Sequence, residues 1–218
     1  MHLLLSALLA LLVVAQAPAG PYRTHNDRFP APQFASRAEW EQRAASVRGH
    51  VLASAGLLPL PLKAPLRPVI FDELKRSDYS VAKVYFESLP GFYVTGNLYR
   101  PVGAGPFPAV RSPHGHAAYG RLENSSLFSE PGRAINLARQ GFVVFAHDMI
   151  GFNDSRQLTH AFGGRREYLW GLSLSGLQLW NSIRAVDFLE SLPHVRKDSV
   201  AAPDADDRRD GRLDERDA

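Results

Sequence analysis

No cysteine occurs among the 218 residues, which excludes disulfides, thiolate metal ligands and a cysteine nucleophile together. A chain of this length has room for one medium domain whose core needs no covalent staples. Long apolar runs are missing after the first 15 residues, so nothing later in the sequence is long enough to span a bilayer. A strong charge of one sign is missing too. The 25 Lys and Arg against 22 Asp and Glu leave +3. Apart from Arg165-Arg166 the bases are scattered, not gathered into the stripe or patch that nucleic-acid binding requires. No internal repeat is visible.

What is present begins with a leader. Leu3 to Ala15 is apolar, and Ala15-Gln16-Ala17 and Ala17-Pro18-Ala19 both offer small-x-small cleavage patterns. Pro18 disfavours the first, so a signal peptide of residues 1–19 is expected, with export to a secreted or periplasmic location and no membrane association after cleavage. The n-region lacks Lys and Arg, which leaves an uncleaved anchor as the alternative.

Residues 20–80 read as an N-terminal helical and extended segment. A helix starts near Ser36 or Arg37, with Glu39 and Glu41 at its positive end, and stops at Gly56. Pro59, Pro61, Pro65 and Pro68 then enforce a stiff connection.

From Val81 the period changes. Val81 to Glu87 and Tyr93 to Tyr99, split by Leu89-Pro90-Gly91, predict an antiparallel hairpin, with Gly96 marking a bulge. Phe107 to Ser112 is the next strand, and Pro131 to Gln140 a helix ended by Gly141. Phe142 to Ala146 is an unbroken apolar run, as expected of a strand buried on both faces. A long helix lies within Leu172 to Leu192, with Leu179, Ile183, Val186 and Leu189 on one face, and a last strand begins near Ser199. Strands alternating with helices give an α/β fold, a mainly parallel sheet preceded by an antiparallel hairpin, over residues 81–200.

Chemistry concentrates where the Phe107 strand runs into Pro113-His114-Gly115-His116-Ala117. Glycine lets the backbone approach a ligand, and the amides after it can point at an oxyanion. Asp148, at the carboxyl end of the Phe142 strand, stands where clefts form in such sheets. The simpler reading makes it a loop cap closing the turn to Gly151. Arg111 is a charge within a strand that should be buried; it faces the cleft or points toward a strand end.

Three further segments extend the pattern: E-S-L-P-G-F-Y-V-T-G-N-L-Y-R-P from Glu87, A-R-Q-G-F-V-V-F-A-H-D-M-I-G-F-N-D-S from Ala138, and L-W-G-L-S-L-S-G-L-Q-L-W-N-S-I-R-A-V-D-F-L-E-S-L-P from Leu169. In this order and spacing, roughly from Trp40 to Val200, the chain resembles the α/β hydrolases grouped with acetyl xylan esterases and dienelactone hydrolases. The resemblance implies an exported serine ester hydrolase acting on a small-molecule or polysaccharide ester, with no cofactor. It implies an oxyanion-hole loop at Gly115, His116 and Ala117, with the amide of His116 or Ala117 as one donor. In that family the nucleophile follows the next strand in a G-x-S-x-G turn, and the acid and histidine of the triad come later.

Here the pattern departs. Residues 201–218 contain no serine, aromatic or β-branched residue, and 11 of the last 16 are charged. They read as a disordered charged tail, of a kind a shifted reading frame could produce, and the fold is expected to be incomplete at that end. No triad residue is therefore assigned. Gly171-Leu172-Ser173-Leu174-Ser175-Gly176 imitates the missing turn, but the second glycine is displaced and no apolar strand precedes it; it reads as a helix entry.

Two other classes stay open. One is a non-catalytic binding or decayed fragment. The other is a metal-dependent hydrolase using His114, His116, His147 and Asp148, with His160 nearby. Binuclear hydrolases want a denser H-x-H-x-D-H pattern, and Ala118 and Tyr119 occupy the positions that need Asp and His.

Overall fold

The computed structural model describes residues 32–201. The expected leader and residues 202–218 of the expected tail lie outside them. The chain divides into two compact units, Met1–Arg43 and Ala44–Ala218. In the first, Ser36 starts a helix: its hydroxyl accepts from the Glu39 amide at 3.2 Å, while Glu39 takes the Ala35 amide at 2.7 Å. This satisfies donors that a helix start leaves free. The helix is α1, Arg37–Ser54, and no side chain along it is fully buried. None of the helices among the described residues is long and apolar enough to cross a membrane.

The second unit holds a six-stranded mixed sheet. Its strands are β1 (Val69–Lys75), β2 (Tyr79–Leu89), β3 (Phe92–Pro101), β4 (Phe107–Pro113), β5 (Val143–His147) and β6 (Val195–Ala201). The spatial order is β1-β2-β3-β5-β4-β6. Strands β1, β2 and β3 pair antiparallel and β3 pairs antiparallel with β5, whereas β5, β4 and β6 run parallel. The expected hairpin is β2–β3, and the parallel part begins where helical crossovers enter. Strand β1 falls inside the segment expected to be helical and extended, so the sheet gains an antiparallel edge there. The last strand starts at Val195, four residues before the expected Ser199, with an irregular register against β4.

Two helices cover the two faces. Helix α2 (Glu130–Arg139) connects β4 to β5 and is capped by Ser129, whose hydroxyl accepts from Gly132 at 2.9 Å. A short helix α3 (Arg165–Leu169) precedes α4 (Leu174–Ser191). Alternation along β5 explains its unbroken apolar sequence. Val143 and Phe145 pack toward α4 with Phe86, Val94, Leu98, Phe188 and Leu189, while Val144 and Ala146 pack toward α2 with Tyr99, Ala134 and Ala138. Phe86, Phe145 and Phe188 form a closed triangle of rings with centres 5.0–5.8 Å apart.

Gly96 does not mark a bulge. The β2–β3 register is continuous there, and the shift lies between Glu87 and Leu89. The glycine is needed because β5 crowds it: a Cβ would lie 2.6 Å from the Ala146 carbonyl oxygen and 2.7 Å from the Phe145 ring. The serine-rich imitation motif is a helix entry, as its spacing implied. Ser173 caps α4 by accepting from the Gly176 amide at 3.0 Å, a bond of about 1 kcal/mol.

Candidate active site

Strand β4 delivers the His-Gly-His loop from the middle of the parallel part of the sheet. Arg133 of α2 fixes the strand end by donating to the Ser112 hydroxyl at 2.9 Å and the Pro113 carbonyl at 3.1 Å. Past Pro113 the chain alternates: His114 is buried, Gly115 and His116 are exposed, and Ala117 is half-buried. Among the described residues, no hydrogen bond takes up the amides of Gly115, His116 or Ala117. A Cβ on Gly115 would meet no atom within 4 Å, so the backbone is uncrowded on that side of the glycine.

His114 anchors the loop. Its Nε2 accepts from the Met149 amide at 3.0 Å, so Nδ1 carries the proton and donates to the Gly115 carbonyl at 2.7 Å. Burial pushes its pKa down, against the opposing effects of the Gly115 carbonyl and of Asp148 and Glu130. The neutral ring is the form this geometry uses. Its edge meets Phe152, ring centres 4.9 Å apart.

Asp148 does not open onto a cleft. It is 1% exposed and forms the hub of a buried network. Thr95 Oγ1 donates to its carboxylate at 2.6 Å, Asn153 Nδ2 at 2.8 Å and the Asp154 amide at 3.3 Å, and Arg121 forms an ion pair with it. Arg121 also reaches Asp154 at 2.7 Å and Asn97 at 3.4 Å. Burial works to lower the Arg121 pKa, but Asp148 and Asp154 outweigh it and raise the value. By accepting from Asn153 and from the Asp154 amide, Asp148 caps the loop that runs from it through Gly151. Within that loop the Gly151 N–H donates to the Ser155 carbonyl at 2.7 Å.

The network joins the loop after β4 to the loop after β5. Arg121 sits in a single 3-10 turn, Gly120–Leu122, just beyond the His-Gly-His loop. Gly120 has φ +52°, and a Cβ there would lie 2.7 Å from Asn153 Nδ2 and 3.0 Å from the His114 ring. Asn153 adopts φ +43°, a conformation asparagine tolerates and which aims its amide at Asp148. Thr95, Arg121 and Asn153 were not singled out from sequence. Their partners lie up to 60 residues away, and no local spacing signals them.

The four residues considered for a metal do not form one site. His114 has both nitrogens engaged and Asp148 is sealed by its donors. His147 is buried in the β5 strand against Phe145, ring centres 5.8 Å apart, with neither nitrogen partnered among the described residues. Burial, with Arg111 and His114, pushes its pKa well below the ordinary value. Among the described residues no three His, Asp or Glu side chains are placed to share an ion. Arg111 points to α4, where Nη1 donates to Ser182 Oγ at 3.0 Å, not to a cleft.

No protein-family model matches the chain. A protein of Bacillus subtilis named as a hydrolase, YtaP, is 28% identical over 102 residues, covering 44% of this chain and 34% of that one. The solved structure named Methylesterase BT1017 is 26% identical with a TM-score of 0.64, covering 78% of this chain and 36% of the other. A structure from Bacteroides fragilis named as an acetyl xylan esterase is 17% identical with a TM-score of 0.61, covering 76% and 47%. The chain thus spans between about a third and a half of the length of each of these proteins. It carries the α/β-hydrolase fold that these structures share.

Proposed function

We propose that this chain contributes the oxyanion-binding half of an exported serine ester hydrolase acting on acetyl or methyl esters, with esterified polysaccharide as the substrate class. The observation that carries the reading is the loop at the carboxyl end of β4. Its amides at His116 and Ala117 have no hydrogen-bond partner among the described residues, while His114, which holds the start of the loop, is buried and bonded on both ring nitrogens. Such a pre-set donor needs no reorganisation as charge develops on a carbonyl oxygen. The names of the similar proteins, a methylesterase and an acetyl xylan esterase, support the substrate class. The apolar leader supports export.

In this reading a serine attacks the ester carbonyl, a histidine takes its proton, and the His116 or Ala117 amide is one of two donors to the tetrahedral oxyanion. The 218 residues contain no G-x-S-x-G sequence, so they supply the donor and not the nucleophile. The same observation favours the second reading, a non-catalytic binding role.

The test is hydrolysis of a simple acetyl ester by the purified 218-residue polypeptide, with and without a serine-directed inhibitor. No turnover above background is expected; turnover abolished by the inhibitor would refute the assignment of inactivity. In a longer chain that includes a glycine-flanked serine, replacing the donor residue (His116→Pro or Ala117→Pro) removes one N–H and should lower kcat by about 10²–10³-fold. An unchanged kcat in both variants would remove the loop from the mechanism.

A further inference from the structure

We propose that His116 and His160 together form a binding site for one divalent transition-metal ion of the zinc or nickel class, bridging the loop after β4 to the segment after β5. Their rings approach with centres 4.9 Å apart and planes at 69°. An ion about 2.1 Å beyond each coordinating nitrogen lies roughly 3.2 Å from each ring centre. Two rings 4.9 Å apart then subtend about 100° at the ion, between the square-planar and tetrahedral values.

The second observation concerns the proton on His160. Its Nδ1 lies 2.8 Å from the Ile150 carbonyl oxygen, which can only accept, so Nδ1 carries the hydrogen and Nε2 is left with its lone pair. This is the arrangement by which a backbone carbonyl orients and strengthens an imidazole ligand. The backbone is fitted to it. Gly151 has φ +88°, and a Cβ there would fall 2.2 Å from the backbone nitrogen of His160. Phe152 backs both rings, with centres 4.8 Å from His160 and 6.5 Å from His116.

His116 is exposed, and among the described residues its ring makes no hydrogen bond, so it can turn an edge toward His160 at no bonding cost. His114, the nearest other imidazole on the loop, has both nitrogens occupied and cannot join. Two imidazoles without a third protein ligand leave the remaining positions to water. An ion so held would tie the two loops together.

The experiment is a zinc titration of the full 218-residue chain by calorimetry, repeated with His116→Ala, His160→Ala, the double variant and His50→Ala, each checked for fold by circular dichroism. His50 is an exposed histidine of α1 and serves as the control. Each of the two single substitutions should weaken the site at least about tenfold, and the double variant should be no weaker than either single one. His50→Ala should bind as the parent does. Equal binding by parent and double variant would overturn the proposal, as would losses that add independently. Because the readout is zinc binding and not turnover, the result is separate from the fate of the esterase reading.

Discussion

The α4 face of the sheet and the carboxyl end of its strands are both tightly buried, but they are held by opposite means. On the α4 face, Phe86, Phe145 and Phe188 pack on one another and on apolar neighbours, with the His147 ring stacked on Phe145, and shape decides how well they fit. At the carboxyl end, Asp148 and Arg121 are as deeply buried, yet every contact there is a directed bond. Apolar burial is non-directional and can be refilled by another side chain of similar volume. A buried ion pair cannot be half kept, because removing one partner strands the other charge without water. The first region supplies adhesion, and the second fixes the relative positions of the loops that flank the His-Gly-His turn.

Two substitutions sharpen this contrast. Phe188→Ala should produce the largest loss, about 3–5 kcal/mol, measured by chemical denaturation. Phe188→Leu should recover most of it. If leucine recovers nothing, the face depends on ring geometry and not on volume. Arg121→Met should fall toward the lower end of about 3–5 kcal/mol, since Thr95, Asn153 and the Asp154 amide still donate to Asp148. Adding Asp148→Asn should cost less than the separate losses combined, with a coupling of about 0.5–3 kcal/mol. Additive losses would show that the pair does not act as a unit.

The same contrast explains what could be read from the sequence. The strands and helices around the apolar core were legible because burial marks the order of residues, as an unbroken apolar run along β5 and as a spacing of three to four along α4. Glycine positions were legible as special but not in their reason. Gly96 answers to a strand that arrives some 50 residues later, and no neighbour in sequence announces it. Strand β1 was missed because its seven residues, V-I-F-D-E-L-K, are exposed throughout and follow a proline-rich stretch; a strand that buries nothing leaves no burial period. At the candidate site, the His-Gly-His loop was visible as a motif. Its support was not, since the Arg121–Asp148 pair depends on tertiary placement alone. Residues 202–218, where the departure from the family pattern is greatest, lie outside the described structure.

His147 gives the smallest effect and the most specific test, because it belongs to both regions. Its ring stacks on Phe145 of the apolar face, at an interplanar angle of 19°, while its backbone precedes Asp148. With neither nitrogen partnered among the described residues and its pKa pushed well down by burial, the folded protein keeps this ring neutral. The unfolded chain has no such restriction and takes up a proton near the ordinary value of about 6.5. His114, buried and lowered in the same direction, adds to the effect. Below that pH the unfolded state binds more protons than the folded one, so stability should be fully present above it and decline as pH falls toward the depressed folded values. Denaturation midpoints measured from pH 7.5 down to 5 should therefore fall in the parent and fall less steeply in His147→Leu. Matching slopes in the two proteins would mean that His147 accepts a proton while folded, and that a water or another acceptor reaches the ring between the two regions.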